Sequence, residues 1–140
     1  MSEHTDKLAT HDAEYVEEMT AAYVECALWV GQNWSDVGEG GEDNPRPWDD
    51  DYSADDVSED AMEEIKRECA AFYRDNREHL AAGEWDAEQA GHDFFLTRNR
   101  HGAGYWDRGK GASGDALTEA AHVYGETDFY VREDGKLGIE

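Results

Sequence analysis

The chain has 140 residues, of which 35 are Asp or Glu and only 12 are Lys or Arg, giving a formal charge of −23 at pH 7. That length supports one modest core. The charge opposes direct contact with nucleic acid or an anionic membrane, because Lys and Arg neutralising phosphates supply that affinity.

Low apolar content with high charge leans toward disorder, yet five Trp, seven Tyr and four Phe argue for a folded chain. The expectation is one domain over residues 1–140 with a flexible acidic loop at 33–53. No apolar run approaches the roughly 18 residues of a membrane span. Without a basic-then-apolar leader, the chain reads as cytoplasmic, in a bacterial or archaeal cell.

From His11 to Gln32, Val16, Met19, Tyr23, Cys26, Ala27 and Val30 recur at the helical period, with Thr10 as the expected N-cap. Asn33–Ser53 holds Gly38, Gly40, Gly41, Pro45, Pro47 and Asp49-Asp50-Asp51, residues that break regular structure or repel one another. Trp34 and Trp48 stand at its ends as staples to the body. A second helix is expected from Ser53–Asp56 to Ala82, with Ile65, Cys69, Phe72 and Leu80 on one face and Gly83 as its stop. Trp85–Ala90 reads as one short helical turn.

The period then changes. Phe94–Arg98 and Gly104–Arg108 are rich in β-formers around Asn99–Ala103, which predicts a hairpin. Asp115–Tyr124 predicts a short helix. Thr127–Arg132 and Lys136–Ile139 flank Glu133-Asp-Gly135, and Asp-Gly is a strong tight-turn pair. The predicted fold is α+β: two long N-terminal helices, then a β-hairpin, a short helix and a second β-hairpin, forming a small antiparallel sheet. Cys26 and Cys69, each in a helical pattern, read as small buried hydrophobes rather than a disulfide.

Charge divides the chain unevenly. Residues Met1–Glu64 hold twenty acids against Lys7 and Arg46, a net of −18, whereas the remainder carries only −5. The segment His92–Lys110 is locally cationic, with four bases against two acids. Glu14, Glu17, Glu18, Glu25, Asp55, Asp56, Glu59, Asp60, Glu63 and Glu64 fall on the two predicted helices and their approaches. Such rows of carboxylates suit a basic partner protein, including one that handles nucleic acid, because they imitate the phosphates of a duplex. Solvation of the surface in a salty cytosol explains the same composition. The exposed faces of the two long helices also leave room for a homodimer.

The predicted hairpin offers a second kind of site. Gly102 and Gly104 permit close backbone approach. Arg98, Arg100, His101, Arg108 and Lys110 are candidate anion ligands, with Tyr105 or Trp106 as a stacking face for a nucleobase. The opposing reading packs those aromatics in the core and pairs the arginines with acids. An enzyme using His101 as acid or base finds no paired group in the sequence. His92, Asp93, His101, Asp107 and His122 are of metal-ligand type but follow no zinc motif, and Ser113 lies outside any nucleophile elbow. No cofactor is expected.

Between about Trp85 and Leu137 stand Gly91, His92, Asp93, Phe94, Leu96, Thr97, Arg98, Asn99, His101, Gly102, Gly104, Tyr105, Trp106, Asp107 and Arg108, and the later Leu117–Ala121 and Tyr124–Glu126. In these residues the chain resembles a group of short, uncharacterised proteins encoded by phages and plasmids. Arg100 stands where that group has a small residue. The resemblance implies a mobile-element setting, which adds weight to reading the acidic surface as a mimic directed at a host protein. It implies no reaction.

Overall fold

The computed structural model describes residues 2–33, 46–100 and 104–140. Among them are four helices, α1 (Ser2–Val30), α2 (Glu59–Ala82), α3 (Ala87–Arg98) and α4 (Ala112–Val123). Two short antiparallel ladders complete the order, β1 (Gln32–Asn33) with β2 (Arg46–Pro47), and β3 (Phe129–Val131) with β4 (Leu137–Ile139).

The predicted α+β arrangement with two hairpins is therefore corrected to a mainly helical fold with one C-terminal hairpin. The segment predicted as strand Phe94–Arg98 is the last half of α3, and Gly104–Arg108 forms the 3₁₀ turn Tyr105–Arg108. Asp86 begins α3 by accepting the Gln89 amide at 2.8 Å. The helix runs through the interior and buries Ala87, Ala90, Gly91, Asp93, Phe94, Phe95, Thr97 and Arg98. A helix covered on nearly all sides has no polar face and so no legible 3.6-residue period. The β-preference of Phe and Thr, a weak guide, yields to that packing. Trp85–Ala90 is not a separate turn but runs into α3.

The α1 period reads true, with Val16, Met19, Tyr23, Cys26 and Ala27 buried. Thr10 does not cap it, because the helix extends back to Ser2. Tyr15 stacks on Tyr73 at 4.4 Å between ring centroids. Asp12 accepts from Tyr73 Oη at 2.8 Å and from Arg77 Nη1 at 2.9 Å, tying the first half of α1 to the second half of α2. Gly91 lets α3 press on α1: a Cβ there would lie 2.2 Å from the Met19 carbonyl oxygen and 2.9 Å from the Tyr23 amide.

Ser58 caps α2 by accepting the Ala61 amide at 3.2 Å, and Ala54–Asp56 is a separate 3₁₀ turn rather than the start of the helix. Asn76 breaks the helical backbone inside α2, its Nδ2 donating to the Phe72 carbonyl at 3.0 Å. The predicted loop 33–53 is only partly accounted for. Residues 34–45, Trp34 included, lie outside the described residues, while Trp48 is buried and meets Tyr52 and Phe129 edge-on. Trp48 is thus the staple expected of it.

The centre is aromatic. Phe72 stacks between Phe94 and Tyr105, at 4.4 and 5.6 Å, and Tyr124 meets both Phe rings edge-on. Each such pair contributes about 0.5–1.5 kcal/mol beyond its buried area. The C-terminal hairpin pairs Phe129 with Ile139 and Val131 with Leu137, with Gly135 in the left-handed conformation its Asp-Gly turn requires. Leu137 accepts the Ser58 amide at 2.8 Å, anchoring the hairpin to the start of α2.

Candidate interaction surface

Helical geometry gathers the acidic residues of α1 on one face. Glu14, Glu17, Glu18, Ala21, Glu25 and Trp29 are all exposed, and steps of three and four residues hold them in a single stripe. None of the four carboxylates makes an ion pair with a described residue. Trp29 closes the stripe at its C-terminal end with 68% of its surface exposed, more than any other described aromatic side chain.

The second acidic set sits at the approach to α2 and on its first half, with different surroundings. Asp55, Glu59, Asp60 and Glu63 are exposed, whereas Asp56 and Glu64 are half-buried. Asp56 accepts the Ser53 amide at 2.8 Å, and Glu64 pairs with Arg67 at 2.7 Å. Asp55, Glu59 and Asp60 share an open cleft of about 400 Å³ with Arg132, Asp134 and Lys136. Among the described residues, cations thus stand beside the α2 carboxylates and not beside Glu14, Glu17, Glu18 or Glu25.

The cationic segment is not a hairpin, and two of its arginines, Arg98 and Arg108, are engaged within the fold. Arg98 is 3% exposed at its side chain and pairs with Glu68 at 2.9 Å. Its remaining donors reach the carbonyls of Gly125 at 2.9 Å and Tyr124 at 3.1 Å, and Tyr23 Oη at 3.4 Å. Burial works against the Arg98 charge, but Glu68 and Tyr23 outweigh it, and its pKa lies above the usual guanidinium value. Tyr105 is fully buried and donates to the Ala90 carbonyl at 2.7 Å.

Arg108 turns back onto Asp93, a carboxylate with no exposed surface that also accepts from Trp85 Nε1 and Gln89 Nε2. Those hydrogen bonds raise the Arg108 pKa. Arg100 and Trp106 are exposed, and His101 lies outside the described residues. The structure therefore sends Arg98 and Arg108 to separate internal partners rather than to one opening. Among the described residues no group of His, Cys, Asp and Glu is placed to hold a metal ion.

The chain matches no family model, no curated protein and no solved structure. The site therefore rests on its own geometry.

Sequence reasoning passed over one feature. A cleft of about 780 Å³ opens beside the stripe, lined by Ala21, Glu25, Leu28, Trp29, Asp49, Tyr52, Ser53, Ala54 and His92. Its signal was present: Glu18, Glu25 and Trp29 are spaced by seven and four residues, which places the indole on the acidic face. No helix among the described residues is long and apolar enough to cross a membrane.

Proposed function

We propose that this chain is a non-enzymatic, phage-type acidic protein that binds a basic host protein in the cytoplasm of a bacterial or archaeal cell. It occupies the surface that its partner uses for nucleic acid, and so inhibits a defence or nucleic-acid-handling factor. The observation that carries this reading is the α1 stripe, where Glu14, Glu17, Glu18 and Glu25 are exposed on one face without cationic partners among the described residues.

Unneutralised carboxylates on a rigid helix are already ordered, so a basic surface meets them without the entropic cost of fixing a loop. At about 1.5 Å of rise per residue, the stripe carries about one charge per 5 Å of axis. A single DNA strand carries one per roughly 3.4 Å and the duplex one per roughly 1.7 Å. The stripe is thus nearer to one strand than to the duplex. The same charge opposes a homodimer through these faces. A nucleotide-binding module on Arg98–Arg108 has less support, since both guanidiniums are engaged internally.

Affinity capture from nuclease-treated bacterial lysate, with the retained proteins identified by mass spectrometry, tests the reading. One basic, nucleic-acid-handling protein should be retained. It should be lost at high salt, and also with the variant Glu17→Lys/Glu18→Lys/Asp60→Lys/Glu64→Lys. Retention indifferent to both salt and charge reversal contradicts it.

A further inference from the structure

We propose that the cleft beside Trp29 receives an arginine side chain of the basic partner, which makes it the specific anchor within a broader electrostatic contact. This rests on the reading of the chain as a binder of a basic protein and names the group recognised. Four observations meet in the cleft. Trp29 offers an indole 68% exposed, Leu28 and Tyr52 add apolar wall, Glu25 and Asp49 add carboxylates, and His92 completes the lining.

A guanidinium is suited to all of these at once. Its planar face stacks on indole, its N–H fork meets carboxylates, and its methylene stem covers apolar wall. A lysine ammonium is more strongly hydrated and lacks the flat face, so it gains less from the same cleft. His92 Nε2 is the one buried side-chain nitrogen or oxygen without a hydrogen-bond partner among the described residues, so this wall is not fully satisfied by the fold itself. The wall opposite α1 is held in place, because Tyr52 packs edge-on against buried Trp48.

Charge selects the occupant. A second copy of a chain with net charge −23 would bring more acid to Glu25 and Asp49. Residues 34–45 of the chain itself carry four acids and no base, so they offer no counter-ion either. A cationic segment of another protein satisfies both the aromatic wall and the carboxylates.

The test is titration of the ¹⁵N-labelled full chain with a tetra-arginine peptide at physiological salt, following the five indole N–H signals and measuring affinity by calorimetry. The Trp29 indole should shift saturably while exposed Trp106 stays in place. Trp29→Ala should weaken binding at least tenfold, Trp106→Ala by less than twofold, and tetra-lysine should bind more weakly than tetra-arginine. Trp29 is exposed, so its replacement should leave the thermal midpoint unchanged, which separates lost contact from lost fold.

Binding by Trp29→Ala within twofold of the unmodified chain overturns the anchor. If Glu14→Gln/Glu17→Gln/Glu18→Gln still weakens binding in that case, the acidic surface stands without the cleft. A Trp29 shift with a neutral aromatic peptide but none with tetra-arginine also overturns it, and assigns the cleft to an apolar partner. No binding of either basic peptide removes both this inference and the reading beneath it.

Discussion

Arg98 and Glu68 form a two-bonded ion pair across α3 and α2, with Nη1–Oε1 at 2.9 Å and Nη2–Oε2 at 3.4 Å. The arginine is buried while the glutamate is 22% exposed at its side chain, so the pair joins the interior to the surface. With the carbonyls of Tyr124 and Gly125 also accepting from it, Arg98 fastens the end of α4 to the core. Arg98→Ala should cost about 3–5 kcal/mol, as expected when one partner of a buried pair is removed. Arg98→Lys should recover only part of that loss, because one ammonium does not reproduce a fork reaching five acceptor atoms. Urea unfolding of the two variants checks both values; equal stability to the unmodified chain would contradict the role.

Gly91 sets the distance between α1 and α3. Alanine is the better helix former by about 0.8–1.0 kcal/mol, so an exposed glycine at this point would gain from the change. Here the added Cβ meets the Met19 carbonyl at 2.2 Å, and backbone does not yield as a flexible side chain does. Gly91→Ala should therefore destabilise by about 1–3 kcal/mol, the range for overpacked interiors. The sign of the change in thermal midpoint decides which effect wins.

The two thiols predict how stability falls in alkali. Burial pushes Cys69 up to about 12, and burial with the nearby Asp93 and Glu25 charges pushes Cys26 up to about 12. An unfolded thiol titrates near 8.5. The folded chain thus holds these protons more tightly than the unfolded one. The contribution to stability is complete below about pH 8.5 and is lost as pH climbs toward 12, by at most about 1.4 kcal/mol per pH unit for each thiol. Denaturant unfolding should show this decline beginning between pH 8.5 and 10. Cys26→Ala/Cys69→Ala should flatten that window, whatever its starting stability.

Repulsion among surface carboxylates predicts a response to salt. With a net charge of −23, screening should relieve more repulsion than it removes attraction, since the exposed ion pairs Arg67–Glu64, Arg74–Asp75 and Arg132–Asp134 are individually weak. The thermal midpoint should rise as sodium chloride is added from low concentration. A midpoint that falls would mean that exposed pairs dominate.

How much was legible in the sequence depended on whether an element has a wet side. The faces of α1 and α2 were readable because Val16, Met19 and Tyr23, or Ile65, Cys69 and Phe72, alternate with charged neighbours at the helical period. The last hairpin was readable from Asp134-Gly135. Helix α3 was not, because Phe94 and Phe95 are both buried and leave no period to see. Likewise, nothing in the sequence links Arg98 to Glu68 or Arg108 to Asp93. Those pairings exist only once α3 is threaded through the core, and they turn residues that looked like anion ligands into internal ties. The exposed acids of α1 and the indole at their end follow from helical spacing alone.

The most direct measurement is competition. The basic protein captured by this chain would be mixed with labelled duplex DNA, and the unlabelled chain titrated in. The account predicts complete displacement of the DNA, with no ternary complex, and loss of displacement for Glu17→Lys/Glu18→Lys/Asp60→Lys/Glu64→Lys. A stable ternary complex would contradict it, because the chain would then occupy a surface other than the one used for nucleic acid.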